Sequence, residues 1–193
     1  DGAADQDDVP GIEVVETLEQ FGVAFTGSTS EFYEPTREQM KEACIAEGIA
    51  TPAWVVAKDD EDIEHAAETL RFPLFVKHHS SYSSVDLSRA SRVNSPGGLR
   101  RQARKMMNRH GWALIEEYID GTEATVLVAE NPDDPQNPIT YVPMQYRFPE
   151  GESFKHSDMK WVEYDKLTCF PVEDPILAQR LRDISARFFV ALN

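Results

Sequence analysis

The sequence predicts a mixed α/β fold with α+β elements, and three observations carry that prediction. Strand-like apolar runs alternate with helical stripes along the chain. Capping signals stand where the stripes begin. The composition, 41% hydrophobic over 193 residues, lies near the globular average. A chain of this length buries roughly two thirds of its unfolded surface, enough for one or two small cores.

The first ten residues are acidic and poor in apolar side chains, and read as a loop or frayed end. Ile12, Val15 and Leu18 recur at helical spacing, with Val14 and Phe21 less regular and Gly22 as the stop. Val23 to Thr26 reads as a short strand. Thr36-x-x-Gln39 is a capping box for a helix that carries Met40 and Cys44 on its stripe and reverses at Gly48. Cys44 is therefore expected in a core rather than in chemistry.

Trp54 to Ala57 reads as a strand, and Asp59 or Asp60 caps a helix with Ile63, Ala66, Ala67 and Leu70 on one face. Pro73 to Lys77 is a buried-type strand, apolar until it ends on its lysine. A polar, serine-rich loop from His78 to Ser84 leads to a strand from Val85 to Val93, a Gly97-Gly98 turn and a basic helix. Trp112 to Glu116 is another apolar strand, ending in acids. Gly121 turns the chain into Thr122 to Ala129, which forms a hairpin-like pair with Ile139 to Tyr146 across a proline-rich loop. Asp174-Pro175 opens the last helix, striped by Leu177, Leu181, Ile184 and Phe188.

With 34 acidic and 19 basic side chains the net charge is -15, which argues against nucleic acid as a partner. Leu87 to His110 runs against this trend, with seven Arg/Lys and no acid. It reads either as a solvated helix face balanced by acids elsewhere or as a positive rim near a phosphate site. Apolar runs fall far short of the ~20 residues of a membrane span, so no membrane partner is expected. Two cysteines, Cys44 and Cys169, point to a reducing compartment, with the cytoplasm as the expected location. The histidines make no ligand set by spacing, and adjacent His78 and His79 would point oppositely in an extended chain. GxGxxG, GxxxxGK[ST], HExxH, GxSxG and CxxC are absent. The chain begins at Asp1 and stops directly after a helix, so it is expected to be a fragment of a longer one.

Three patterns in fixed order stand out: FPLFVK with Lys77 at a strand end before the serine loop, ALIEEYIDGTE with Glu116, Glu117 and Glu123, and Arg37 in the first turn of an earlier helix. Singly, Lys77 reads as a snorkelling strand-end lysine and the glutamates as a solvated strand end. Jointly, with GVAFTGS and GIATPAWVV, the run resembles the ATP-grasp enzymes, and among them the D-alanine–D-alanine ligase group. The resemblance covers nearly the whole chain. It implies an ATP-grasp fold divided at 1–34, the end of an N-terminal domain, 35–116, the central lid, and 117–193, the first part of a C-terminal domain.

The resemblance also implies an ATP-dependent carboxylate–amine ligase working through an acyl phosphate, with ATP and an amino acid or carboxylate as partners, and leaves a homodimer open. Lys77 matches a phosphate-neutralising lysine. Arg37 matches a second phosphate-contacting lysine, with a planar fork in place of a point charge. Glu116, Glu117, Tyr118 and Ile119 match the hinge whose backbone reads the adenine edge, and Glu123 the acid that accepts from the ribose hydroxyls. Ser83 matches a substrate-orienting serine, followed by Ser84, and Lys160 a lysine of the substrate-covering loop.

Besides Arg37, three positions depart from the family pattern. Tyr82 and Asp86 stand where glycines let backbone amides approach phosphate, and Asp86 is expected to add like charge there. Trp161 replaces a tyrosine, which removes a hydrogen bond and makes D-alanine a doubtful substrate. These departures leave an alternative, a nucleotide-binding pseudoenzyme or regulatory domain; a plain acidic interaction domain is a third. Two Mg²⁺ are implied, with ligands expected beyond Asn193.

Overall fold

The computed structural model describes residues 11–80 and 84–192. The expected frayed end over the first ten residues, and Ser81, Tyr82 and Ser83 of the serine loop, lie outside the described residues.

The elements are α1 (Ile12–Gln20), α2 (Arg37–Ala46), β1 (Trp54–Ala57), α3 (Asp60–Thr69), β2 (Leu74–Lys77), β3 (Arg92–Val93), α4 (Pro96–His110), β4 (Ala113–Glu117), β5 (Ala124–Thr125), β6 (Val128–Ala129), β7 (Ile139–Thr140), β8 (Met144–Arg147), α5 (Ser157–Trp161), β9 (Thr168–Pro171) and α6 (Pro175–Leu192). The starts follow the sequence signals. Thr36 and Gln39 form the reciprocal capping box of α2, and Asp59 accepts from the backbone of α3, while α4 starts at a cap the sequence reading did not name, Ser95. Asp174 accepts from the Ile176 N–H at 2.9 Å, with Pro175 in the first turn of α6.

The main sheet is antiparallel, in the order β1-β4-β2-β3. Strand alternation sends Val55 and Ala57, Leu74 and Val76, and Ala113 and Ile115 to one face, where α3 and α4 cover them with Ile63, Ala66, Leu99, Ala103 and Met106. Most of these side chains are wholly buried, and each of the larger ones contributes about 1.5–3 kcal/mol of transfer free energy. A smaller sheet, β5-β8-β9, and the β6-β7 pair follow, with α6 packed against α2, β6 and β7.

Four expectations are corrected. Residues 23–26 form no strand: Val23 is 49% exposed and its N–H returns to Leu18, so no neighbour completes a ladder. The strand expected over 85–93 is reduced to Arg92–Val93, because Ser84 and Asp86 take positive φ and Ser88 and Ser91 cap each other around a 3-10 turn. Gly97 and Gly98 lie in the first turn of α4 rather than before it. The expected hairpin exists, but each arm is broken into two short strands: Val128 pairs with Thr140 and Ala124 with Gln145, and Pro143, which lacks an N–H, sits in the break.

In α2 the stripe residues Met40 and Cys44 are half-buried, and the buried side chain is Lys41. Burial pushes the Cys44 thiol up, against the opposite pull of Lys41. The basic face of α4 takes the first of its two readings: Arg100 pairs with Glu64, Arg104 with Asp60 at 2.8 Å, and Arg109 with Asp86.

Candidate active site

The alternation that buries Val76 and Ile115 turns Phe75, Lys77, Leu114 and Glu116 to the opposite face of the sheet. Phe75 stands directly across from Glu116 and Lys77 across from Leu114, so Lys77 and Glu116 are diagonal neighbours and pair through Glu116 Oε1. The other carboxylate oxygen, Oε2, lies 2.9 Å from the Lys41 ammonium. The Thr36 cap begins α2 at Arg37, which places Lys41 one turn later on the same face. Two ammonium groups thus share one carboxylate in a buried trio.

Burial pushes the Glu116 carboxyl up, but Lys77 and then Lys41 outweigh it and hold the group below the usual carboxylate range. For Lys77 burial is the largest influence and lowers it; Glu116 opposes, Arg37 and Lys41 add to the lowering, and the ammonium sits below the ordinary lysine value.

Above this trio opens a cleft of about 570 Å³. Arg37, Ser84, Glu116, Glu117, Tyr118, Ile119, Glu123 and Lys160 all line it, so eight residues singled out from the sequence meet in one place. Lys77 reaches it through Glu116. Ser83 lies outside the described residues. Trp161 is not among the lining residues and is 61% exposed at the end of α5. Phe75, Leu87, Phe154 and Pro52 supply apolar wall, with Phe75 and Phe154 edge to face at 4.8 Å. A second groove of about 490 Å³, between Phe32, Tyr33, Val126, Phe188 and Phe189, is mostly apolar and lacks such a charged cluster.

The hinge is narrower than its resemblance implies. The Glu117 N–H donates to Ala53 O at 3.0 Å and the Tyr118 N–H to Pro73 O at 2.9 Å, so both are engaged within the sheet. The Glu117 carboxylate is held by Arg71 at 2.7 Å. Glu123 is paired with Lys155 at 3.1 Å, and that ammonium also sits 3.4 Å from the Tyr146 ring centroid.

Two loops close on each other beside the cleft. Ser84 Oγ donates to Lys155 O at 3.1 Å, and the Ser157 N–H donates to Leu87 O at 3.0 Å. Arg89 pairs with Glu152, which also lies 3.2 Å from Nε2 of the buried His156. His156 caps α5, accepting from the Met159 N–H, and so sets the position of Lys160.

Asp86 corrects its expectation. Its carboxylate binds Arg109, and its Oδ2 lies 2.6 Å from His110 Nε2 at the C-terminal end of α4; it is not among the cleft-lining residues. The charge is neutralised by the basic helix instead of facing the cleft. His78 and His79 also depart from the extended picture: the chain bends after β2, and the rings stack with centroids 5.0 Å apart, beside His110 at 4.3 Å from His78. Burial, with His110 and His79, lowers His78 to about 4, so it is neutral near neutral pH. Among the described residues no three His, Cys, Asp or Glu side chains are placed to hold a metal ion.

Residues 45–192 match the family described as D-ala D-ala ligase C-terminus. The chain belongs to this family.

Among its relatives is a D-alanine--D-alanine ligase of Oleidesulfovibrio alaskensis, 34% identical over 112 residues, or 56% of this chain and 34% of the relative. D-alanyl-alanine synthetase A from Vibrio cholerae superposes over 95% of this chain and 56% of its own, with TM-score 0.75 and 17% identity. D-alanine--D-alanine ligase from Bacillus anthracis complexed with ATP covers 93% of this chain and 54% of its own, with TM-score 0.67 and 20% identity. The expected ATP-grasp fold is therefore met. The chain spans between about a third and just over half of the length of these relatives.

Within this D-ala D-ala ligase C-terminus chain, sequence reading missed Lys41 and Lys155. The signal for Lys41 was its spacing, one helical turn beyond Arg37 on a capped helix. Lys155 had no local signal, since its partner Glu123 is brought to it by the β5-β8 pairing. Among the described residues no helix is long and apolar enough to cross a membrane.

Proposed function

We propose that the protein to which this chain belongs is an ATP-dependent ligase that joins a carboxylate to an amine through an acyl phosphate. The observation that supports this reading best is the cleft itself. Its inner end carries Arg37 and the Lys41–Glu116–Lys77 trio, in which cations outnumber the carboxylate, and its walls are apolar. Such a cleft suits a ligand with a flat apolar end and a polyanionic tail.

On this reading Lys77 and Arg37 neutralise the phosphates, Ser84 lies beside them, and Glu123 leaves Lys155 to accept from the ribose hydroxyls. Ile119 covers the base, with its N–H and the hinge carbonyls of Glu117 and Tyr118 left for the base edge. ATP supplies the γ-phosphoryl group that turns a poor carboxylate electrophile into a reactive one, and the amine then displaces phosphate. Lys160, together with Ser83, orients the carboxylate, and the paired loops at Ser84–Lys155 and Leu87–Ser157 keep water from the reacting end. Among the described residues no three His, Cys, Asp or Glu side chains are placed to hold magnesium. Residues 1–34, 35–116 and 117–193 take the three domain roles that the resemblance implies.

Calorimetry with ATP tests the reading first, and phosphate release in the presence of amino acids tests it second, on the full-length protein. Absence of ATP binding overturns it. A second reading is favoured by Trp161, which lacks a phenolic hydroxyl and is exposed: ATP binding without phosphate release under any amino acid supports a nucleotide-binding pseudoenzyme.

A further inference from the structure

Lys41 has no part in the roles above, yet its side chain is only 8% exposed and faces the same carboxylate as Lys77. Its ammonium lies 2.9 Å from Glu116 Oε2, 3.2 Å from Thr51 Oγ1 and 3.1 Å from Pro52 O. Three acceptors match the three N–H donors of an ammonium group, and the Trp54 ring stands 4.9 Å away. Lys41 is therefore fastened where it is. Lys77 is held by Glu116 Oε1 and, among the described residues, by no second acceptor. Of the two lysines, Lys77 is the one able to leave.

We propose that Lys41 is a positioning residue that retains the Glu116 carboxylate when Lys77 swings from Glu116 to the phosphates of a bound nucleotide. The inference rests on the assignment of Lys77 to phosphate made above.

The physical argument concerns what is left behind. Glu116 is buried, and the charged groups facing it are Lys77 from β2 and Lys41 from α2, with Arg37 acting on Lys77 from the first turn of α2. Lys155, Glu123 and Lys160 border the same cleft. If Lys77 departs and Lys41 is missing, an unpaired carboxylate remains in a buried site beside an incoming polyanion, the arrangement that costs most. Such a group takes up a proton instead. With Lys41 in place, Glu116 keeps a partner and Lys77 exchanges one anion for another with no proton taken up at the carboxylate.

The test is ATP calorimetry on the full-length protein near neutral pH, in two buffers of different ionisation enthalpy. Lys41→Met is expected to lose about tenfold or more in affinity, to take up close to one extra proton on binding relative to wild type, and to regain affinity as pH falls. Lys41→Arg is expected to behave as wild type, and Lys41→Met with Glu116→Gln to lose the extra proton uptake. Lys41→Gln, which keeps hydrogen bonding without charge, is expected to repeat the Lys41→Met result and stands in for it where that variant does not fold. Wild-type affinity and wild-type proton uptake in Lys41→Met or Lys41→Gln overturn the proposal. So does a loss of affinity in them that is independent of pH and persists with Glu116→Gln. Lys77→Ala separates this failure from that of the underlying reading: unchanged affinity there sinks the Lys77 assignment, whereas weakened binding there with silent Lys41 variants sinks this proposal alone.

Discussion

Lys77 and Glu116 stand diagonally across β2 and β4 and form an ion pair on the sheet face opposite α3 and α4. The pair is two strands' alternation made visible: the residues next to them, Val76 and Ile115, are wholly buried in the core on the other side. Because both residues stand on paired strands, their backbone positions are as rigid as the sheet, and only the side chains are left to move.

Removal of the Lys77 charge is expected to weaken ATP binding by about 1.5–3 kcal/mol, roughly ten- to 150-fold, as for a lost charge-assisted contact. Calorimetric titration of Lys77→Ala against the wild type measures this, and an unchanged dissociation constant removes Lys77 from the phosphate site.

The pH dependence of that binding follows from the lowered Lys77 value. Lys77 loses its charge at a pH below the ordinary lysine range, and anion affinity falls with it. ATP affinity is therefore expected to decline on the alkaline side earlier than for an exposed lysine, and Lys77→Arg, which stays charged, is expected to flatten the decline. A profile that is flat into the ordinary lysine range contradicts this.

Asp86 links acid stability to the loop beside the cleft. The His110 hydrogen bond, with Arg109, holds its carboxyl below the usual range. A depressed carboxyl contributes stability above its unfolded value, about 4, and that contribution is lost as pH falls through the lower folded value. Asp86→Asn is expected to lower the urea midpoint near neutral pH, and the difference from wild type is expected to close in acid. Equal midpoints at neutral pH refute the link.

Core truncation should separate buried from exposed positions. Ile115→Ala, at a fully buried site, is expected to cost about 2–5 kcal/mol. Ile176→Ala, at a side chain 80% exposed on α6, is expected to stay within about 0.5 kcal/mol. Denaturant titration reads both.

On the proposed reading, in which Trp161 belongs to a substrate-covering loop, it bears on selectivity. It cannot donate a phenolic hydrogen bond and presents a flat apolar face, so the full-length protein is expected to prefer an amino acid larger or flatter than D-alanine. Trp161→Tyr is expected to shift the ratio of kcat/KM toward D-alanine by on the order of tenfold. A wild-type preference for D-alanine over every larger amino acid overturns the expectation.

By itself the sequence determined the elements whose signals are local: the Thr36–Gln39 capping box, a helix start at Asp59 or Asp60, the Asp174-Pro175 start, and the apolar runs that became β1, β2 and β4. It also carried the family likeness, through motifs whose order along the chain survives without any knowledge of contacts. Tertiary structure decided what depends on partners distant in sequence. Val23 to Thr26 looked like a strand but found no neighbour, and residues 85–93 were bent by capping serines and by the pull of Arg109 and His110 on Asp86. Lys41 drew no reading from the sequence, because its place depends on β4 bringing Glu116 against it. Local propensity acts through neighbouring residues, but a ladder, a buried charge and a cleft exist only once distant segments meet. In a chain with a surplus of acid, only the fold could set two lysines on one buried carboxylate.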